Sequence, residues 1–351
     1  MPGARDADSF GTGHEDGLEP LEPLDPRRAS SVDALVRAMG KTAFGGRRLG
    51  EAADVLEEMV SDKDCFRVVT VSGAMTVAKQ GLLLCEMIER GWVQAVVSTG
   101  ALMTHGLSEA GGMLHFKHSA QMRDEDLYHK GYNRIYDTIE LEKNLDDVER
   151  ILAHVLGDIP EQTLLSSRLL CEWIGRHLQR ENSARAILRS AVEHEVPVYV
   201  PAFTDSELGL DLMIYNQLRE RDGKAGLRFD PFLDLQDFSE RVLANDRLGI
   251  FTIGGGVPRN WAQQVAPYLE ILGSRLGRPD FLRRYRYALR ICPEPEHLGG
   301  LSGCSYSEGI SWGKFLPETE GGRFAEVFAD ATIAWPLLVR AVMERQDAER
   351  A

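Results

Sequence analysis

Phe66-Arg-Val-Val-Thr-Val-Ser-Gly-Ala-Met-Thr76 sets the rhythm of the chain: an apolar run rich in Val, then a turn of small and hydroxylated residues. A short β-branched and aromatic run bounded by turn residues reads as a buried strand. The pattern recurs at Val93–Val97, Pro197–Pro201, Leu248–Ile253, Tyr285–Ile291 and Phe324–Phe328. Helical patterns lie among these runs, at Lys79–Arg90, Leu145–Leu156, Leu164–Gln179, Ser183–His194, Trp261–Leu272 and Ala331–Glu344. Such alternation predicts an α/β fold, a doubly wound and mostly parallel sheet with helices on both faces. A helical extension precedes it, Ser31–Met39 and Leu49–Met59, joined by Thr42-Ala-Phe-Gly-Gly46. Residues 1–28, rich in Gly, acidic residues and Pro20, Pro23 and Pro26, read as a disordered leader. One α/β domain is expected over 29–345, with a tail at 346–351, and no internal repeat is visible.

The turns at the strand ends point to a ligand. Val71 leads into Ser72, Gly73, Ala74, Met75 and Thr76, and Val97 into Ser98, Thr99 and Gly100. Pro201 leads to Asp205, Ile253 into Gly254, Gly255 and Gly256, and Phe328 to Asp330 and Ala331. In open parallel sheets, ligands bind beyond the carboxyl ends of the strands. Small residues let backbone approach a ligand, and hydroxyl and N–H groups hold phosphate. Five such ends together predict a nucleotide-sized pocket. There is neither a G-x-G-x-x-G nor a G-x-x-x-x-G-K-[ST] motif, which argues against the standard dinucleotide fingerprint and a P-loop.

Ser311-Trp-Gly-Lys314 supplies a candidate nucleophile. A lysine amine attacks only when neutral, and at its solution pKa almost none is neutral at pH 7. Desolvation beside the indole of Trp312 lowers that pKa and permits a Schiff base. A solvated lysine in a glycine-rich loop is the other reading of the same string.

The net charge of −14 argues against nucleic-acid or anionic-membrane binding, since both need a basic face. Five cysteines form no CxxC pair and show no metal-ligand spacing to the histidines, so no metal is expected and a reducing cytoplasm fits. No run reaches the roughly 18 apolar residues of a membrane span, and no signal-peptide pattern opens the chain.

The motifs stand in the order found in one family. Gly40-Lys-Thr-Ala-Phe-Gly45, Val96-Val-Ser-Thr-Gly100, Asn133-Arg-Ile135, Pro197-Val-Tyr-Val-Pro-Ala-Phe-Thr-Asp205, Ile253-Gly-Gly-Gly-Val257, Ser311-Trp-Gly-Lys314 and Phe328-Ala-Asp-Ala331 succeed one another along the chain. Over roughly residues 30–345 the chain resembles the deoxyhypusine synthases, more closely their bacterial and archaeal relatives. The resemblance implies a Rossmann-like NAD-binding fold and a homotetramer with sites at subunit interfaces. It implies a transferase in which NAD takes a hydride from a polyamine such as spermidine. Lys314 would capture the imine as diaminopropane leaves, and the aminobutyl group would pass to an acceptor amine before the hydride returns. It places the NAD contacts at Ser72 to Thr76, Ser98 to Gly100, Asp205, Gly254 to Gly256, Asp330 and Ala331.

Catalytic candidates beside Lys314 are Glu308, which matches a family loop glutamate able to pair a substrate ammonium or accept a proton, and His105, able to move protons near pH 7. Substrate-binding candidates are Trp312, Glu308, Asn260 and Asp211. Asp205 would bind a ribose hydroxyl, or else serve as a turn or helix cap.

Departures bear on the substrate. Thr104, His105 and Gly106 replace a Glu-Glu-Asp of eukaryotic members, Asn260 a histidine, and Leu301 an aspartate; Asp211 lies one position beyond another. An unpaired buried ammonium is costly, so these changes alter which amine is held. The leading expectation is a small diamine acceptor giving homospermidine. The alternatives are the same chemistry on a protein lysine, a nucleotide-binding protein that has lost catalysis and, remotely, a pyridoxal-phosphate enzyme.

Overall fold

The structure is a computed structural model in which residues 9–350 are described. In chain order the elements are α1 (Val32–Gly40), α2 (Phe44–Ser61), β1 (Cys65–Val71), α3 (Gly81–Glu89), β2 (Ala95–Ser98) and α4 (Gly100–Ala110). Next come β3 (Phe116–Lys117), α5 (Asp124–His129), β4 (Tyr132–Ile135), β5 (Thr138–Leu141), α6 (Glu142–Asp158), β6 (Leu164–Leu165), α7 (Ser167–Arg180) and α8 (Ile187–Glu193). Then β7 (Val198–Tyr199), α9 (Glu207–Arg221), β8 (Arg228–Phe229), α10 (Phe232–Leu243), β9 (Arg247–Ile253) and α11 (Gly256–Leu276). The chain closes with β10 (Tyr285–Ile291), α12 (Tyr306–Ser311), β11 (Arg323–Val327) and α13 (Ala331–Arg350).

The six runs read as strands form one parallel sheet of order β11-β10-β9-β1-β2-β7. Its side chains alternate between two cores, as a period of two requires. Val69, Val71, Phe251 and Ile253 face one core, with α2, α3 and α13; Phe66, Val68, Leu248 and Ile250 face the other, with α10 and α11. Both faces are therefore buried, and the strands are nearly unbroken apolar runs.

The helical extension docks on α13. Arg345 of α13, 4 % exposed, bonds Asp33 of α1 at 2.5 Å and Asp54 and Glu57 of α2 at 2.8 Å each. Before α1, Glu22 contacts Lys41 through backbone and side chain. The expected leader falls in part, at residues 1–8, outside the described residues.

Four expectations are corrected. The 346–351 tail is largely helix: α13 runs to Arg350, Gln346 accepts the Trp92 indole N–H at 2.8 Å, and residue 351 lies outside the described residues. Leu164 and Leu165 pair with β8, and the helix starts at Ser167, capped by Ser166. The Pro197–Pro201 run pairs only at Val198 and Tyr199, because the Val200 N–H turns to Ser167 Oγ at 2.7 Å and Pro201 cannot donate. Helix α2 begins at Phe44 rather than Leu49. Helix α9 was invisible to periodicity: Leu208 and Leu212 are buried, whereas Leu210, Met213, Ile214 and Leu218 are exposed. Among the described residues no helix is long and apolar enough to cross a membrane.

Candidate active site

The strand order reverses between β1 and β9: β2 and β7 are added outward on one side of this pair and β10 and β11 on the other, all strands staying parallel. A crevice opens where strand order reverses, and two of the candidate loops meet there. Ser72, just past β1, donates its N–H to Ile253 O at 3.1 Å, and its Oγ accepts the Gly255 N–H at 2.8 Å. A Cβ on Gly255 would lie 2.5 Å from Ser302 Cα, so only glycine lets the loop before Lys314 pack on this turn. Helix α11 then starts at Gly256 with no side-chain cap, leaving N–H groups free for an anion.

The other strand ends adjoin this crevice. Thr99 caps α4, accepting the Leu102 N–H at 3.3 Å; Ser98 is buried beneath it. Buried Thr76 ties the first loop to α4 by donating to Leu102 O at 3.0 Å, while Gly73 is exposed at φ +77° and Ala74 and Met75 are half-buried. Asp205 is exposed. Asp330 is engaged as a helix cap, its carboxylate accepting the Thr332 N–H at 2.7 Å and hydroxyl at 2.8 Å; Ala331 behind it is buried.

Lys314 is 7 % exposed. Its N–H donates to Gly309 O at 3.1 Å and its carbonyl accepts the Tyr285 N–H at 2.9 Å, fixing it to β10. Phe315 anchors it from the next position, packed against Tyr285, Tyr306 and Phe324. A Cβ on Gly309 would lie 2.5 Å from the Phe315 ring, so α12 can cross here only at glycine. Burial lowers the Lys314 pKa; Cys304 and Glu308 oppose that shift, and Arg259 adds to it. The shift is in the direction that an amine nucleophile at this position would need.

Two buried arginines build the loop around it. Arg259 of α11 donates to the carbonyls of Leu301, Ser302 and Cys304 at 3.0, 3.3 and 2.5 Å. Arg290 of β10 reaches Ser302 O and Cys304 O at 2.6 and 2.8 Å and pairs with Glu326, which also accepts the Tyr306 N–H. Sequence reading missed all three. Nothing in the string distinguishes them from surface charges; burial alone does.

The expectation that Trp312 walls off the lysine is corrected: the indole is 62 % exposed, and the protein interior supplies the desolvation. Glu308 is also exposed, on the first turn of α12. Asn260, half-buried, comes next to Arg259 on α11. Asp211, on α9, is pushed up to about 6 by burial, then by Glu149 and Glu207. Among the described residues none of these three carboxylates has an ion-pair partner.

His105 is buried on α4 against Glu140 of β5, which also meets His115 at 3.3 Å. Burial alone would raise the Glu140 pKa, but the two imidazoles bring it down to about 2. His115 and Glu140 carried no signal in the sequence. Two hollows, about 310 and 550 Å³, open near the opposite, amino-terminal strand ends, beside Val196–Val198 and Lys63–Arg67. Neither contains a candidate catalytic residue.

The deoxyhypusine synthase family model matches residues 34–342. A Methanosarcina acetivorans protein named "Probable deoxyhypusine synthase 2" is 35% identical over 327 residues, covering 93% of this chain and 90% of its own. A "Deoxyhypusine synthase-like protein" of Chlorobaculum parvum is 32% identical, over 88% of this chain and 85% of its own. A crystal structure from Entamoeba histolytica assigned to the deoxyhypusine synthases shares the fold. It has TM-score 0.60 at 14% identity, over 92% of this chain and 97% of that one. With its lysine buried beside the glycine turn of a parallel six-stranded sheet, and its length matched by these relatives, the chain belongs to the deoxyhypusine synthase family.

Proposed function

We propose that this chain is an NAD-dependent transferase that moves a 4-aminobutyl group from spermidine, through an imine on Lys314, to a small diamine, giving homospermidine. Members of the family transfer an aminobutyl group from spermidine; the acceptor and the cofactor are our reading. The observation that carries it is a buried, pKa-lowered Lys314 in a loop packed directly on the Gly254–Gly256 turn at the switch point.

The residues present fit a dinucleotide. The uncapped start of α11 and the Thr99-capped start of α4 suit its phosphates, Gly255 brings backbone close, and exposed Asp205 would take a ribose hydroxyl. NAD, when bound, supplies reversible hydride acceptance. The chain's own residues do the rest. Lys314 Nζ attacks the substrate imine carbon, and diaminopropane leaves as the C–N bond to it breaks. The acceptor amine then displaces Lys314, whose nitrogen recovers its proton. Glu308, exposed on the same helix-loop unit, is the group we assign to hold the departing ammonium or take its proton.

A small cationic acceptor is supported by Asp211, Glu149 and Glu207, three neighbouring carboxylates without ion-pair partners among the described residues. A bound ammonium would relieve their repulsion. Val257, Leu301, Trp312 and Phe328 around the crevice are exposed apolar side chains that a second copy would cover, consistent with a homotetramer sharing sites.

The test is incubation with NAD, spermidine and putrescine. Homospermidine and diaminopropane are expected, with a borohydride-trapped adduct on Lys314 that Lys314→Ala abolishes. A butylamine adduct on a co-expressed protein instead would assign a protein acceptor. No diaminopropane from any polyamine would refute the transferase reading.

A further inference from the structure

Three ligand-type side chains converge where α4, the turn after it and β5 meet. His105 Nδ1, His115 Nε2 and a Glu140 carboxylate oxygen lie within 4.8 Å of one another. The side chains of His115 and Glu140 are each 1 % exposed, and that of His105 is 10 % exposed. Although the groups touch, none of the three atoms makes a hydrogen bond of acceptable geometry. Buried polar atoms without a partner are destabilising, so three aimed at one point require an explanation. Two imidazole nitrogens and a carboxylate oxygen converging on one point, with no hydrogen bond of good geometry among them, are the arrangement of a metal site.

We propose that His105, His115 and Glu140 bind one first-row divalent cation, of the zinc or ferrous class, that ties the small sheet β3-β5-β4 to helix α4. Two imidazoles and a carboxylate are a donor set for such ions and leave at least one position for water or a ligand nitrogen. The surroundings supply an outer shell. The second Glu140 oxygen accepts from Ser108 Oγ at 3.2 Å. His115 Nδ1 lies 2.7 Å from Lys79 Nζ, which pairs with Glu109 at 2.8 Å. Without the ion, Lys79 donates to Nδ1 and the ring proton is on Nε2. On binding, Nε2 releases that proton to solvent, Nδ1 carries one, and half-exposed Lys79 turns away so that Glu109 can accept the Nδ1–H. A carboxylate accepting the second N–H of a ligating histidine is the usual outer-shell arrangement. No motif spacing announces this site, because the chain between His115 and Glu140 is the small sheet itself. Its place is functional ground: α4 opens directly on the strand-end turn Ser98–Gly100.

The experiment uses the full chain, stripped by chelator dialysis and titrated with Co²⁺ and Zn²⁺, read by cobalt d–d absorption and calorimetry. One ion per chain is expected, with Zn²⁺ displacing Co²⁺ and raising the melting temperature. His115→Ala and Glu140→Gln should each weaken binding by at least ~100-fold, beyond the ~10–100-fold typical of an outer-shell partner. Lys79→Met, which removes no ligand, should bind at least as tightly as the parent. If either ligand variant fails to fold, X-ray absorption of the zinc-loaded parent decides: two imidazole shells support the site, and none refutes it. No saturable binding by the parent, or undiminished affinity in both ligand variants, overturns the proposal.

Discussion

Replacing Arg259 with methionine tests whether the buried guanidinium both builds the lysine loop and tunes its amine. Methionine keeps an unbranched side chain over Tyr306, whose ring centroid is 5.4 Å from the guanidinium carbon, but removes the charge and three hydrogen bonds. Ser302 O and Cys304 O keep Arg290 as a donor, whereas Leu301 O has no second donor among the described residues. One charge-assisted bond contributes about 1.5–3 kcal/mol. With two carbonyls still served, the expected loss is about 2–4 kcal/mol, read from the denaturant midpoint at constant m. The second readout is the pH dependence of borohydride trapping at Lys314. Burial lowers this lysine's pKa and Arg259 adds to the lowering, so removing Arg259 raises it. The neutral fraction at pH 7 falls, and the rising limb of trapping moves to higher pH. Glu308 has the opposite sign, so Glu308→Gln should move the limb to lower pH. If both variants shift the limb the same way, or Arg259→Met changes neither stability nor profile, the reasoning is refuted.

Gly255→Ala places a methyl 2.5 Å from Ser302 Cα; overpacking of about 1–3 kcal/mol should separate the two loops and weaken NAD binding, measured by calorimetry, by about tenfold. Asp211 is held up at about 6, above its unfolded value near 3.9, so its contribution to stability is greatest below pH ~4 and is lost as pH rises through about 6. Asp211→Asn should therefore stabilise the chain at neutral pH by roughly 1 kcal/mol, after discounting for solvent screening, while raising KM for the polyamine. Melting and steady-state kinetics on the same variant check both halves. Arg345→Met leaves Asp33, Asp54 and Glu57 facing one another without their cation and should cost about 3 kcal/mol in denaturant unfolding.

The sheet was legible because a strand buried on both faces must be apolar at nearly every position. Cys65–Val71 and Arg247–Ile253 could hardly be mistaken for half-exposed strands or amphipathic helices. The glycine turn was legible for a related reason, since close backbone approach admits few residue types, and Lys314 stood out by its place in a glycine-rich loop. Helix α9 was not, because its exposed face is as apolar as its buried one, and local periodicity has no contrast to report. Nor were the arginine clamps, since Arg259 and Arg290 read as ordinary surface charges until burial and loop carbonyls surround them.

By itself the sequence determined which segments are strands, which strand ends carry small residues, and which lysine to propose as the nucleophile. Tertiary structure alone decided that β1 and β9 are neighbours, so that Ser72 meets Gly255. It also decided that the protein interior, not the exposed indole of Trp312, desolvates Lys314, and that His105, His115 and Glu140 share one point. The physical reason is common to all three. Residue type and spacing encode local backbone and burial preferences, whereas a pKa or a donor set depends on groups distant in the chain that only packing brings within a few ångströms.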